Sequence, residues 1–147
     1  MENENKLVKV HFDLAEPDLG VGGESLWAAP VGTNLYELRN SPWHVRNVNW
    51  LDVVEAIPQN ENGFPEFVKV HKRSGHRTVH LYILDAGKVH TKEILDNCNR
   101  LGSTYEGMDD RMYALDFKPG IGVAPTIEYL ELLKAQDVAD WRINEHE

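Results

Sequence analysis

A single cysteine, Cys98, stands among 147 residues, so no internal disulfide can form. No apolar run approaches the roughly 20 residues that a membrane-spanning helix requires. The opening Met1-Glu2-Asn3-Glu4 is acidic where a secretory leader is basic and then apolar. Together these absences favour the cytoplasm, with no membrane attachment. Positive charge is scarce as well: 15 Lys and Arg face 24 Asp and Glu, a formal charge of −9. Such a field repels nucleic acid and anionic lipid and attracts basic partners. A Gly-rich phosphate loop is also missing, since Gly20-x-Gly22-Gly23 is followed by neither Lys-Ser/Thr nor a helix.

What is present begins with strands. Val8, Val10, Phe12 and Leu14 alternate with Lys9, His11 and Asp13, the period of a half-buried strand. The stretch from Glu16 to Gly23 reads as a turn. Ser25 to Val31 and Leu35 to Arg39 read as a hairpin around Gly32-Thr33-Asn34, ended by Pro42. Asp52 to Ile57 and Phe67 to His71 are further strands, separated by the polar loop Gln59 to Gly63. Beyond Ser74-Gly75 the pattern changes. Arg77 to Leu84 alternates, and Thr91 to Leu101 has helical spacing, with Thr91 as a candidate cap and Gly102 as a stop. Ser103 to Glu106 and Met112 to Phe117 are strands, Pro125 opens a second helix, and Val138 to Ile143 closes the chain. The expected fold is therefore α+β. A small N-terminal β-barrel or bent antiparallel sheet over residues 6–73 precedes a ferredoxin-like β-α-β-β-α-β unit over 77–144, in one compact domain.

Several groups invite a chemical reading. Lys69 to Arg77 is a basic stretch in an acidic chain, and Arg73, Ser74, His76 and Arg77 within it have the makings of an anion cradle. The competing reading is a solvated connection between two lobes. His76 and His80 have zinc-pair spacing only on a helix; on a strand four residues span about 13 Å, too far for one ion. Ser74 and His76 lack a third, orienting group, so no nucleophile is assigned. Cys98 falls on the apolar face of a helix, where a thiol behaves as a small hydrophobe. Glu106, Asp109 and Asp110 cluster at a turn, which Asp favours for its own local hydrogen bonding. Trp27, Trp43 and Trp50 crowd the first half. Core packing accounts for all three most simply, and Trp43-His44-Val45-Arg46 is the best candidate for exposed recognition.

Five strings occur together in order: Glu24-Ser25-Leu26-Trp27-Ala28, Tyr36 to Pro42, Asp52 to Ala56, Arg73 to Val79, and Thr104-Tyr105-Glu106-Gly107. In these the chain resembles a bacterial family known as domain of unknown function 4265. The resemblance implies bacterial origin and a single compact unit, and brings no reaction or catalytic set. It marks Asn40, Ser74, Gly75 and His76 as motif positions. Trp43 departs from a Phe usual in the pattern, and Leu51 from a Gly usual before Asp52.

Two readings of function follow. The first is a non-catalytic binding protein acting on one protein partner of basic character, of the kind that neutralises a toxin (an immunity protein). The second is a small anionic-ligand binder or minor enzyme, with Arg73, Ser74, His76 and Arg77 gripping the anion at the joint between lobes. For the first reading Trp43, His44 and Arg46 would contact the partner. Neither calls for a cofactor, a metal or a catalytic residue, and nucleic acid and membrane are excluded as partners.

Overall fold

The computed structural model describes residues 6–18, 21–58 and 63–144. The frayed start expected at Met1–Asn5 and most of the 59–63 loop lie outside the described residues. The chain divides into two compact units, with the boundary between Ser74 and Gly75.

The first unit contains β1 (Val8–Asp18), β2 (Val21–Gly32), β3 (Leu35–Leu38), β4 (Val53–Ile57) and β5 (Glu66–Lys72). They form a closed barrel in chain order. Antiparallel neighbours make most of it, and a short parallel pairing of β1 with β5 closes the ring, with His11 opposite Glu66. The alternation in β1 does what period two requires: Val10 and Phe12 point into the barrel with Leu26, Ala28, Leu38, Val54 and Ala56. Phe12 stacks on Phe67 at a centroid distance of 4.7 Å. Val45 and Val48, from the irregular segment between β3 and β4, join this core. Thr33-Asn34 makes the β2–β3 turn, with Asn34 at φ +58, a conformation that Asn tolerates.

The second unit runs β6 (Arg77–Ile83), a 3₁₀ helix (Asp85–His90), α1 (Thr91–Arg100), β7 (Thr104–Gly107), β8 (Met112–Phe117), α2 (Ala124–Ala135) and β9 (Ala139–Ile143). Its antiparallel sheet has the order β7-β8-β6-β9. Val79, Leu81 and Ile83 on one face of β6 pack with Ile94, Leu95 and Cys98 of α1 and Leu130 and Leu133 of α2. Burial pushes the Cys98 thiol up to about 12. Pro125 lies in the first turn of α2, where its missing N–H costs nothing.

These observations correct the expected α+β class and the ferredoxin-like label. Nine strands against two short helices, of 10 and 12 residues, make the described chain mostly β, headed by a closed barrel rather than a bent sheet. Two local readings also need correction, the first of which adds strand. Glu16 to Asp18 and Val21 to Gly23 are strand, not turn, because β1 and β2 continue as a long hairpin whose register slips between Asp13 and Asp18. Thr91 does not cap α1. The 3₁₀ helix runs directly into it, and the Thr91 hydroxyl donates back to the Lys88 carbonyl.

Candidate functional site

The segment between β3 and β4 has no regular structure, yet most of it is buried, so its backbone polar groups need partners. Two carboxylates supply them. Glu24, on β2, accepts from three successive amides: Trp43 N–H at Oε2 (2.7 Å), and His44 and Val45 N–H at Oε1 (2.9 and 3.0 Å). Asp52, fully buried, accepts from Asn49 N–H at 2.9 Å and from Ser74 N–H at 2.8 Å. The Arg73 guanidinium stands 3.3 Å from the same carboxylate and donates to the Asn47 carbonyl at 2.8 Å. The Ser74 hydroxyl donates to the Trp50 carbonyl at 2.6 Å. Asn40 accepts from Trp27 N–H at 2.9 Å. The connection is thus bolted down by Glu24, Arg73 and Ser74 from outside it and by its own Asn40 and Asp52.

The residues singled out in the sequence are placed as follows. Trp43 is half-buried and His44 buried, each tied to Glu24 through its backbone, while Arg46 is exposed. Arg73 and Ser74 serve the Asp52 network. His76, in the second unit, places Nδ1 3.0 and 2.9 Å from the two oxygens of Asp116, both side chains being buried. Arg77 opens β6 opposite Phe117. Of the expected anion grip, Arg73 and His76 are thus turned to carboxylates of the protein itself. His80 is fully buried, with Nδ1 3.3 Å from an Arg142 nitrogen. At the acidic turn, Asp109 accepts from Arg111 and Met112 N–H, which hold its carboxyl below the usual range.

Burial pushes the Asp116 carboxyl up, against the opposing pull of His76. A raised folded value means that the native state holds this proton more tightly than the unfolded chain does. Its stabilising contribution is then complete below the ordinary value of 3.8 and is lost as pH rises through the folded value. Urea unfolding of the wild type and Asp116→Asn across pH 3 to 6 checks this on a range set by the ordinary ~4 and its upward shift. The wild type should lose stability relative to the variant as pH rises; a constant difference would refute it.

What the sequence reading did not single out lies on the outside of the barrel. Trp27 alternates with the inward Leu26 and Ala28, and the residue is 44% exposed. The Lys9 ammonium lies 5.0 Å from the ring centroid. Beside it runs a groove of about 530 Å³ lined by Leu7, Tyr36, Pro58, Phe64 and Pro65 among others. Leu7 and Phe64 are each 39% exposed, so the apolar floor is wet. Of the three early tryptophans the structure turns out Trp27, not Trp43. The signal was available in the strand alternation of β2, which sets Trp27 opposite Lys9.

A second cluster faces outward from β1 and β5. One donor atom from each of His11, Asp13 and Glu66 lies within 4.8 Å of the others. His11 Nε2 is 3.0 Å from Asp13, and Nδ1 is 3.3 Å from the Ser25 hydroxyl. The Glu66 carboxyl is raised by desolvation and by the Asp13 charge.

The family model for Domain of unknown function (DUF4265) matches residues 24–141. The chain belongs to this family. A solved structure described as "Novel crystal structure of a hypothetical protein from Neisseria gonorrhoeae" is similar, with a TM-score of 0.77 at 14% identity, covering 94% of each chain. At that identity the likeness speaks for the fold alone. No curated protein matches. The strings that pointed to DUF4265 now have a physical content, because Glu24, Asn40, Asp52 and Ser74 are the residues that bolt the 40–52 connection. Leu51 adopts φ +66, a left-handed conformation in which a residue without a side chain is more at ease than Leu. Gly75 sits at φ +93, a conformation that favours Gly, and a Cβ there would stand a tight 3.1 Å from the Pro119 ring.

Proposed function

We propose that this DUF4265 protein is a non-catalytic binding protein, working in the bacterial cytoplasm, that engages one basic protein partner through the groove beside Trp27. A toxin to be neutralised fits that description. The observation that carries the reading is the exposed Trp27 ring standing over a wet apolar groove. Monomeric proteins rarely leave such a patch uncovered without a use for it, and Trp anchors dominate binding energy at interfaces. The formal charge of −9 supplies the electrostatic complement, speeding encounter with a basic surface. Against the anion-binding alternative stand the carboxylate partners of Arg73 and His76. No helix among the described residues is long and apolar enough to cross a membrane.

The test is comparative co-purification from a native host. At low salt the wild type should retain one stoichiometric protein, released as salt rises and lost from a folded Trp27→Ala/Phe64→Ala variant. A partner that the double variant still holds would reject the groove. A wild type that binds no protein would reject the binding reading as a whole.

A further inference from the structure

The outward cluster on β1 and β5 has the makings of a metal centre. Strand alternation sets His11 and Asp13 on the same outer face of β1, two residues apart, while Val10 and Phe12 point inward. Barrel closure then brings in a residue more than fifty positions away: the parallel pairing sets Glu66 opposite His11, and His11 N–H donates to the Pro65 carbonyl at 2.9 Å. One imidazole nitrogen and two carboxylate oxygens thus converge within 4.8 Å. Donors about 2.0–2.2 Å from one ion lie about 3–3.5 Å apart, so small side-chain rotations from this arrangement bring all three into range.

Two neighbours shape the cluster around the imidazole. The Ser25 hydroxyl, on the adjoining strand opposite His11, lies 3.3 Å from Nδ1, which leaves Nε2 on the carboxylate side. Metal-ligating histidines are commonly oriented through their second nitrogen in this way. Gly23 supplies the space: a Cβ there would stand 2.7 Å from His11 Cε1 and 3.1 Å from Nε2. Any larger residue would push the ring off the carboxylates.

We propose that His11, Asp13 and Glu66 bind one divalent first-row transition ion, of which Zn²⁺ suits this mixed nitrogen and oxygen donor set. Three protein ligands leave at least one position for water or for a donor from elsewhere. The site is independent of the groove reading and stands or falls on its own test.

Tag-free full-length protein is titrated with Zn²⁺ by calorimetry and with Co²⁺ by visible absorption. One ion per chain is expected, with a Co²⁺ ligand-field band in the wild type. Glu66→Gln and Asp13→Asn change little in shape and should each weaken binding at least about tenfold, and Ser25→Ala should do so by about tenfold through loss of orientation. His90→Ala, which removes an exposed imidazole of the second unit, should leave affinity and spectrum unchanged. Absence of Zn²⁺ binding, or binding that Glu66→Gln leaves intact, would overturn the assignment. So would a loss produced by His90→Ala alone.

Discussion

Asp52→Ala should lower the unfolding free energy of the barrel unit by about 3 to 5 kcal/mol, a large share of what a small domain has. The carboxylate is fully buried and has three donors around it: Asn49 N–H, Ser74 N–H and the Arg73 guanidinium. Truncation removes the carboxylate that accepts the buried Asn49 amide and the half-buried Ser74 amide, and a buried group so deprived costs about 1 to 3 kcal/mol. Arg73 loses its counter-charge too, though its side chain is 27% exposed and keeps the Asn47 carbonyl, which moderates that part. Three of the four tryptophans, Trp27, Trp43 and Trp50, lie in this unit, so urea unfolding followed by fluorescence reports on it. Asp52→Asn should fall between, at about 2 kcal/mol, since it keeps one acceptor but turns an amide N–H₂ towards a donor. A loss under about 1 kcal/mol in Asp52→Ala would mean that water replaces the carboxylate and that the connection is not held as described.

That network also shows why part of this molecule was legible in advance and part was not. Two strands announce themselves through local alternation, Val8 to Leu14 and Arg77 to Leu84, and two more, Asp52 to Ile57 and Met112 to Phe117, through apolar content bounded by turns; β1, β6, β4 and β8 form over these stretches. The helices at 91 and 124 likewise declare themselves through apolar spacing and through Pro125. Glycine misled where it seemed most informative. Gly22 and Gly23 suggested a turn, but they belong to a long strand, and Gly23 is small because the His11 ring lies over it. Long-range pairing has no local signature at all. Nothing near Ser74 in the chain indicates that its amide and hydroxyl serve Asp52 and Trp50, over twenty residues earlier. Hence the basic run around Arg73 read either as a solvated connection or as a grip for an external anion, and neither reading foresaw that Arg73 and His76 face internal carboxylates. The same blindness hid the His11, Asp13 and Glu66 cluster, because β1 meets β5 only when the barrel closes. Trp27 is the intermediate case. Alternation in β2 points it outward, but that its neighbours form a groove depends on Phe64 and Pro65, which arrive from another part of the chain.

A second glycine makes the complementary point and gives the other large effect. Gly87 lies in the 3₁₀ helix between β6 and α1 and is buried there against the chain entering β9. Its backbone carries no positive φ, so conformational freedom does not explain it. Space does: a Cβ would stand 2.2 Å from the Val138 carbonyl oxygen and 3.3 Å from the Val138 Cβ. That carbonyl already accepts Leu84 N–H at 3.0 Å, and Leu84 O in turn accepts Gly87 N–H at 2.9 Å. Making room for a methyl group thus means moving backbone, and with it the hydrogen bond that joins the end of β6 to the start of β9. Gly87→Ala should therefore cost about 3 kcal/mol, the upper end of what overpacking costs, although alanine is the better residue in any helix free of contacts. Gly122→Ala is the matched control within the same unit, since a Cβ there meets nothing within 4 Å. It should change stability by less than about 0.5 kcal/mol. Urea unfolding monitored by far-ultraviolet circular dichroism separates the two. If Gly87→Ala proved as stable as the wild type, the close approach of the 3₁₀ helix to Val138 would be wrong, and with it the account of how β6 hands over to α1.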